Sequence, residues 1–182
     1  LGIKTLAPTE ENLRRLGLSV TLGGGEVRLI DLAAGYGAFS NGGYQVSPIA
    51  ILKVADAKGK TIFEEKARTQ KRVLDAGIAF IVSNMLSDNN ARLITFGPNS
   101  FLNIPGRTIA VKTGTTDDKR DNWTVGWTPQ YVVGAWVGNN DNSPMTNVAS
   151  GVTGAAPIWR GIIFEVLKNK PREDFVPPDN VV

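Results

Sequence analysis

The chain has 182 residues, 42% of them apolar, and 20 Lys and Arg against 17 Asp and Glu for a net charge of +3. That balance suits one domain with a packed core, excludes a disordered chain, and leaves the basic residues scattered in pairs such as Arg14-Arg15 and Lys71-Arg72 rather than in the stripe a nucleic-acid binder needs. Neither Cys nor His occurs, which excludes disulfides, thiolate or imidazole metal sites, thiol catalysis and a Ser-His-Asp hydrolase, so acid–base chemistry falls to Lys, Asp, Glu or Tyr.

Taken in chain order, the segment from Ala7 to Gly17 reads as a short helix with Thr9 as N-cap, acidic residues in its first turn and Gly17 past its end. The chain opens on Leu1-Gly2 with no initiator Met or signal segment, the mark of a processed or excised piece. From Glu26 to Gly43 the pattern is a buried helix, with Val27, Ile30, Leu32, Ala34, Tyr36, Ala38 and Phe39 inward and Asn41-Gly42-Gly43 as the stop. Two apolar runs around Asp56 to Lys60 predict a β-hairpin near residues 48–66. Asp75 caps the next expected helix, whose Ile78, Phe80, Ile81, Met85 and Leu86 are taken as mostly inward.

After Arg107 the pattern changes to strands rich in Val, Thr, Trp and Tyr, the last two joined by a Pro129-Gln130 turn into an antiparallel hairpin with Trp127 and Trp136 in its core. A final helix follows, with Ile158, Trp159, Ile162, Ile163, Val166 and Leu167 on its buried side and Pro171 ending it. Residues 171–182 read as a loose tail. No 18-residue apolar stretch offers a membrane span.

Lys112-Thr113-Gly114-Thr115-Thr116 interrupts the strand alternation. Successive strand side chains leave opposite faces, so Lys112 and Thr113 can serve one ligand only if it lies along the strand's edge. An edge strand can grip an extended peptide by its unpaired backbone groups. Gly114 removes the side chain that would obstruct such an approach, Lys112 adds positive charge, and Thr115 and Thr116 add hydroxyls suited to a carboxylate. The whole reads as a cradle for a peptide's carboxyl end.

This stretch resembles the Lys-Thr-Gly box of the penicillin-binding proteins and serine β-lactamases. Residues 19–54 resemble the helical segment ahead of that box in class A (bifunctional) penicillin-binding proteins. Residues 120–141 resemble their next two strands, and residues 151–162 their last helix. The resemblance covers about residues 1 to 170. It implies an α+β fold of the β-lactamase/transpeptidase type, an antiparallel sheet edged by helices, with this chain as the C-terminal portion of one transpeptidase domain. On that reading about 1–103 is the helical part, about 105–170 the strands and packing helix, and further strands come from upstream.

What the resemblance implies for the site is carried over residue by residue. Lys112 supports proton transfer and charge; Thr113 and Thr115 hold the substrate carboxylate, with Gly114 between them; the Thr115 N–H forms half of an oxyanion hole. Thr116, Asn122 and Trp123 line the cleft, Trp123 with a competing place in the core. The partners implied are peptidoglycan stem peptides, β-lactams and the upstream half of the same domain, with no metal or organic cofactor. The implied location is the extracytoplasmic face of a bacterial membrane.

Two motifs of that family are lacking. None of the eight serines has Lys three positions later, so the Ser-x-x-Lys nucleophile is expected upstream. Ser87-Asp88-Asn89 matches Ser-x-Asn literally, but it lies at a helix end where Asp and Asn satisfy backbone groups. Asp117, Asp118 and Asp121 are read as a solvated loop, because Lys119 and Arg120 interleave and no calcium-loop spacing follows. Two other readings stand beside the transpeptidase: a non-catalytic peptide-binding module, and a DD-carboxypeptidase or β-lactamase relative in which water replaces the amine acceptor.

Overall fold

The computed structural model describes residues 1–66, 70–146 and 152–181. Gly151 and Val182, which the sequence reading includes in the last-helix segment and the tail, lie outside the described residues. Helix α1 (Glu10–Leu16) starts where expected, with the Thr9 hydroxyl accepting from the Asn12 N–H at 3.2 Å and Gly17 as C-cap. Helix α2 (Leu29–Ser40) follows, its first turn held by a two-pronged Arg28–Asp31 pair at 2.7 and 2.9 Å. The β1 (Lys53–Ala55) and β2 (Thr61–Glu64) hairpin is exposed throughout, its turn tied by the Asp56 carboxylate to the Lys58 and Lys60 N–H groups. Helix α3 (Ala76–Ser87) and helix α4 (Asn89–Phe96) come next, the first capped by Asp75 and the second by Asp88.

Strands β3 (Ala110–Thr115), β4 (Asp121–Trp127) and β5 (Val132–Gly138) form an antiparallel meander in the order β3-β4-β5. The register pairs Lys112 with Val125 and Thr115 with Asn122. Alternation then sorts the faces. One face carries Ala110, Lys112, Val125, Trp127, Gly134 and Trp136, and against it lie α2 and α3: Trp127 stacks on Tyr36 and Phe39 with centroids 5.0 and 6.0 Å away, and donates its indole N–H to Ser83 at 3.0 Å. The other carries Val111, Thr113, Thr115, Asn122, Thr124 and Ala135 and meets helix α5 (Ala155–Leu167), whose Trp159, Ile163 and Leu167 join the buried cluster with Val111, Val133 and Ala135. The α+β arrangement is therefore helices, sheet, helix.

Several expectations about which side chains turn inward are corrected. Val27 precedes α2 and Ile30 is exposed; the buried positions of that helix are Gly35, Gly37 and Ala38. On α3 the buried positions are Gly77, Ala79 and Ser83, while Ile78, Ile81 and Met85 face solvent. On α5 Ile158 and Ile162 are exposed, and the helix ends at Leu167, ahead of Pro171. On α2 and α3 the reason is shared: they pack closely through small residues, so their large apolar side chains are displaced outward. Helix α5 instead buries the large Trp159, Ile163 and Leu167 as expected and turns only its Ile158/Ile162 side out. Trp136 is half-buried where Trp127 is wholly so.

Residues 171–181 are not a loose tail. Arg172 donates to the Thr108 hydroxyl at 3.1 Å and pairs with Asp174, which also bonds Thr108, and the Asn180 amide donates to Asp75 at 3.3 Å. The segment crosses from the start of β3 to the N-terminus of α3. Its polar side chains find fixed partners on the body, which composition alone does not reveal.

Candidate active site

The motif residues occupy β3, an outer strand of the three-stranded sheet, paired only with β4 among the described residues. Its first half, Ala110 and Val111, is buried and anchors the strand; its second half emerges, with Lys112 and Thr115 exposed and Thr113 and Gly114 half-buried. The Lys112 ammonium donates to the Thr113 carbonyl next to it. Lys112 projects from the α2/α3 face of the sheet, and Thr113 and Thr115 from the α5 face. A group that meets all three must therefore run along the strand's open side.

Gly114 has no internal reason to be glycine. A methyl group added there would meet only the Trp123 Cβ, at 3.6 Å, an ordinary contact. Gly126 on the neighbouring strand is the opposite case, since a methyl group would fall 2.5 Å from the Trp159 ring. Small size at 114 leaves room on the strand's surface rather than in its packing.

The β3–β4 loop is organised by Thr116, whose hydroxyl accepts from the N–H groups of Arg120 and Asp121 at 3.1 and 2.8 Å. Asp118 and Lys119 take left-handed backbone conformations, with φ of 56° and 54°. Asp121 accepts the Trp136 indole N–H at 2.6 Å and Asp118 pairs with Arg120 at 3.7 Å. The loop carboxylates thus serve different partners, and no cluster of three His, Cys, Asp or Glu fit for a metal occurs among the described residues. Trp123 is half-buried with its ring centroid 6.3 Å from that of Trp136.

Asn122 departs from its expected place along a cleft. It is fully buried between strand and helix, its Oδ1 accepting the Ala155 N–H at 2.7 Å and its Nδ2 donating to the Thr115 Oγ1 at 3.4 Å. The one sequence signal for this was a polar amide in a strand of Trp, Val and Thr, a setting in which Asn is depleted. Ser87-Asp88-Asn89 is a helix junction: Ser87 bonds the Asn84 carbonyl, Asp88 caps α4, and Asn89 donates to Asn103 at 3.1 Å. A groove between the β1–β2 hairpin and residues 45–49 and 70–71 contains none of the motif residues.

Comparison with known proteins places these features in a family. The model of the penicillin-binding protein transpeptidase domain matches residues 7–163. Penicillin-binding protein 2D of Bacillus subtilis is 32% identical over 171 residues, covering 90% of this chain and 24% of that protein. Penicillin-binding protein 1A of Aquifex aeolicus is 34% identical over 165 residues, covering 90% of this chain and 22% of that protein. The chain thus spans about a quarter of the length of these curated relatives. The structure of PonA1 from Mycobacterium tuberculosis superposes with a TM-score of 0.76 at 27% identity, over 90% of this chain and 44% of that one. Its complex with penicillin V gives 0.74 at the same identity and coverage. With its sheet, its edge strand and most of its length matched, this chain belongs to the penicillin-binding protein transpeptidase domain family.

Proposed function

We propose that this chain forms one wall of the active site of a peptidoglycan DD-transpeptidase, and that the nucleophilic serine is supplied by polypeptide upstream of it. The observation that carries the reading is the β3 edge: an exposed lysine, two threonines and a glycine that internal packing does not require, all in the emergent half of an outer strand. In such a site the serine Oγ attacks the carbonyl of the penultimate D-alanine. The Thr115 N–H then stabilises the oxygen that becomes negative, and Thr113 and Thr115 hold the terminal carboxylate. Lys112 supplies positive charge beside the reacting centre and supports proton transfer to the departing D-alanine. An amine of a neighbouring stem peptide next attacks the acyl-enzyme, forming the cross-link and restoring the serine. A β-lactam enters by the same attack, its ring opening to leave a stable acyl-enzyme; the family member PonA1 has been solved with penicillin V. No helix among the described residues is long and apolar enough to cross a membrane, and the proposed site works on the extracytoplasmic side, where its substrate lies.

The test is the intact mass of residues 1–182 after incubation with a penicillin, beside that of the chain extended upstream through a Ser-x-x-Lys motif. Addition of one antibiotic to the extended protein alone is the expected result. Acylation of residues 1–182 by themselves would place a nucleophile among their own serines. If neither is acylated, the chain is a peptide-binding module without chemistry.

A further inference from the structure

We infer that Thr116 is a positioning residue: its hydroxyl meets no ligand but closes the turn that ends β3, and so sets how the strand's last residues lie; the inference rests on the site proposed above. The polar groups of Thr116 are all engaged within residues 116–121. Its N–H donates to the Asp121 carbonyl at 3.1 Å, and its carbonyl accepts from the Lys119 N–H at 3.1 Å. Its Oγ1 accepts from the N–H groups of Arg120 and Asp121 at 3.1 and 2.8 Å, and its own proton has the Asp121 carbonyl as acceptor, 3.4 Å away. A threonine hydroxyl offers one proton and two lone pairs, so these three contacts use all that it has. A side chain that reads as a carboxylate ligand is thereby spent on the backbone.

The turn so closed is held from two sides. Asp118 and Lys119 stand at φ of 56° and 54°, a left-handed pair that persists only where the surroundings over-determine it. Thr116 provides one set of restraints. The other comes from the loop after β5: the Met145 N–H donates to the Lys119 carbonyl at 3.0 Å, and the Arg120 guanidinium donates to the Asn142 carbonyl at 2.6 Å. Thr116 directly follows Thr115 and bonds Asp121 where Thr115 pairs with Asn122, so a shift of the turn passes straight into the last pair of the β3–β4 ladder. A displacement of about 1 Å is enough to slow a reaction that depends on the strand's edge.

Thr116→Val keeps the shape of the side chain and removes its oxygen. In the upstream-extended protein the saturating rate of acylation by a fluorescent penicillin should fall roughly tenfold, and Thr116→Ser should restore it to within about twofold of the unsubstituted rate. In an Arg120→Met background, where the turn has already lost its hold on Asn142, Thr116→Val should cost less than about threefold, because both residues act through one turn. Equal losses in the two backgrounds would mean that Thr116 meets the ligand itself, and would overturn the inference. So would a Thr116→Val protein acylated at the unsubstituted rate, or a serine variant as slow as the valine one. Thermal transitions establish that each variant is folded. If Thr116→Val does not fold, the hydroxyl serves folding alone and the inference fails. If the unsubstituted protein is never acylated, the proposed function itself falls and takes this role with it.

Discussion

At the scale of single residues, Gly114 and Ser83 make opposite predictions. Since a methyl group at 114 meets nothing closer than 3.6 Å, Gly114→Ala should leave the thermal midpoint unchanged or slightly raised by the loss of unfolded-state freedom, about 0.4–1 kcal/mol. It should nonetheless slow acylation of the extended protein by a penicillin, because the new Cβ stands where a ligand approaches the strand. Equal rates for both proteins would remove the reason given for a glycine here. Ser83 has no part in the site but is saturated: its hydroxyl donates to the Ala79 carbonyl at 2.8 Å and accepts from Trp127 at 3.0 Å, all of it buried. Ser83→Ala strands the indole N–H in the core and should cost about 1–3 kcal/mol in denaturant unfolding, with acylation kinetics intact. The strand character of Ala110–Thr115 and its break in pattern from Lys112 were legible from sequence because the residue types clash with a strand's alternation. The Trp127–Ser83 bond was not, since a serine within a helix looks the same whether it faces water or a tryptophan forty-four positions away.

At the scale of elements, the caps and turns were the readable parts: Thr9, Asp75 and the Asp56–Lys60 turn act through neighbours within a few residues, so local sequence contains the whole interaction. The α3 face was misread because that helix has a small-residue stripe and a large apolar one, and size favours the wrong one; on α5 the expected Trp159, Ile163 and Leu167 are buried, and only the adjoining Ile158 and Ile162 were placed inward in error. The sheet accepts Gly77, Ala79 and Ser83, not Ile78, Ile81 and Met85. The Asp75 cap also carries a pH signature. The Gly77 N–H foremost, then the Asn180 amide and the Ile78 N–H, hold its carboxyl below the ordinary carboxylate range. A folded-state pKa below the unfolded one means stability present above the unfolded value and lost as pH falls through the folded one. Thermal midpoints of the intact domain, measured from about pH 6 down to about pH 3, should therefore drop less for Asp75→Asn than for the unsubstituted protein. Parallel decline in the two would mean that the cap is not proton-linked.

At the scale of the whole molecule, each outer face of the helix–sheet–helix stack is apolar. Ile78, Ile81 and Met85 on α3 are 53%, 45% and 59% exposed and lie at spacings that put them on one side of the helix. On the far side of the stack, Ile158, Ile162 and Phe164 of α5 are 50%, 43% and 59% exposed. Among the described residues β5 pairs only with β4, so its outer edge is open as well. Exposed apolar stripes and an unpaired strand edge each favour association in water. Sedimentation of residues 1–182 alone should therefore show a mean mass that rises with concentration. Ile78→Lys together with Ile81→Lys, which charges the α3 stripe without touching its buried side, should lower that mass. Co-expression with the upstream polypeptide should abolish the concentration dependence, because the same faces are then covered within one domain. A cooperative thermal transition from a monomer at every concentration would instead mean that the three layers suffice by themselves, and that the exposed stripes have no partner to find.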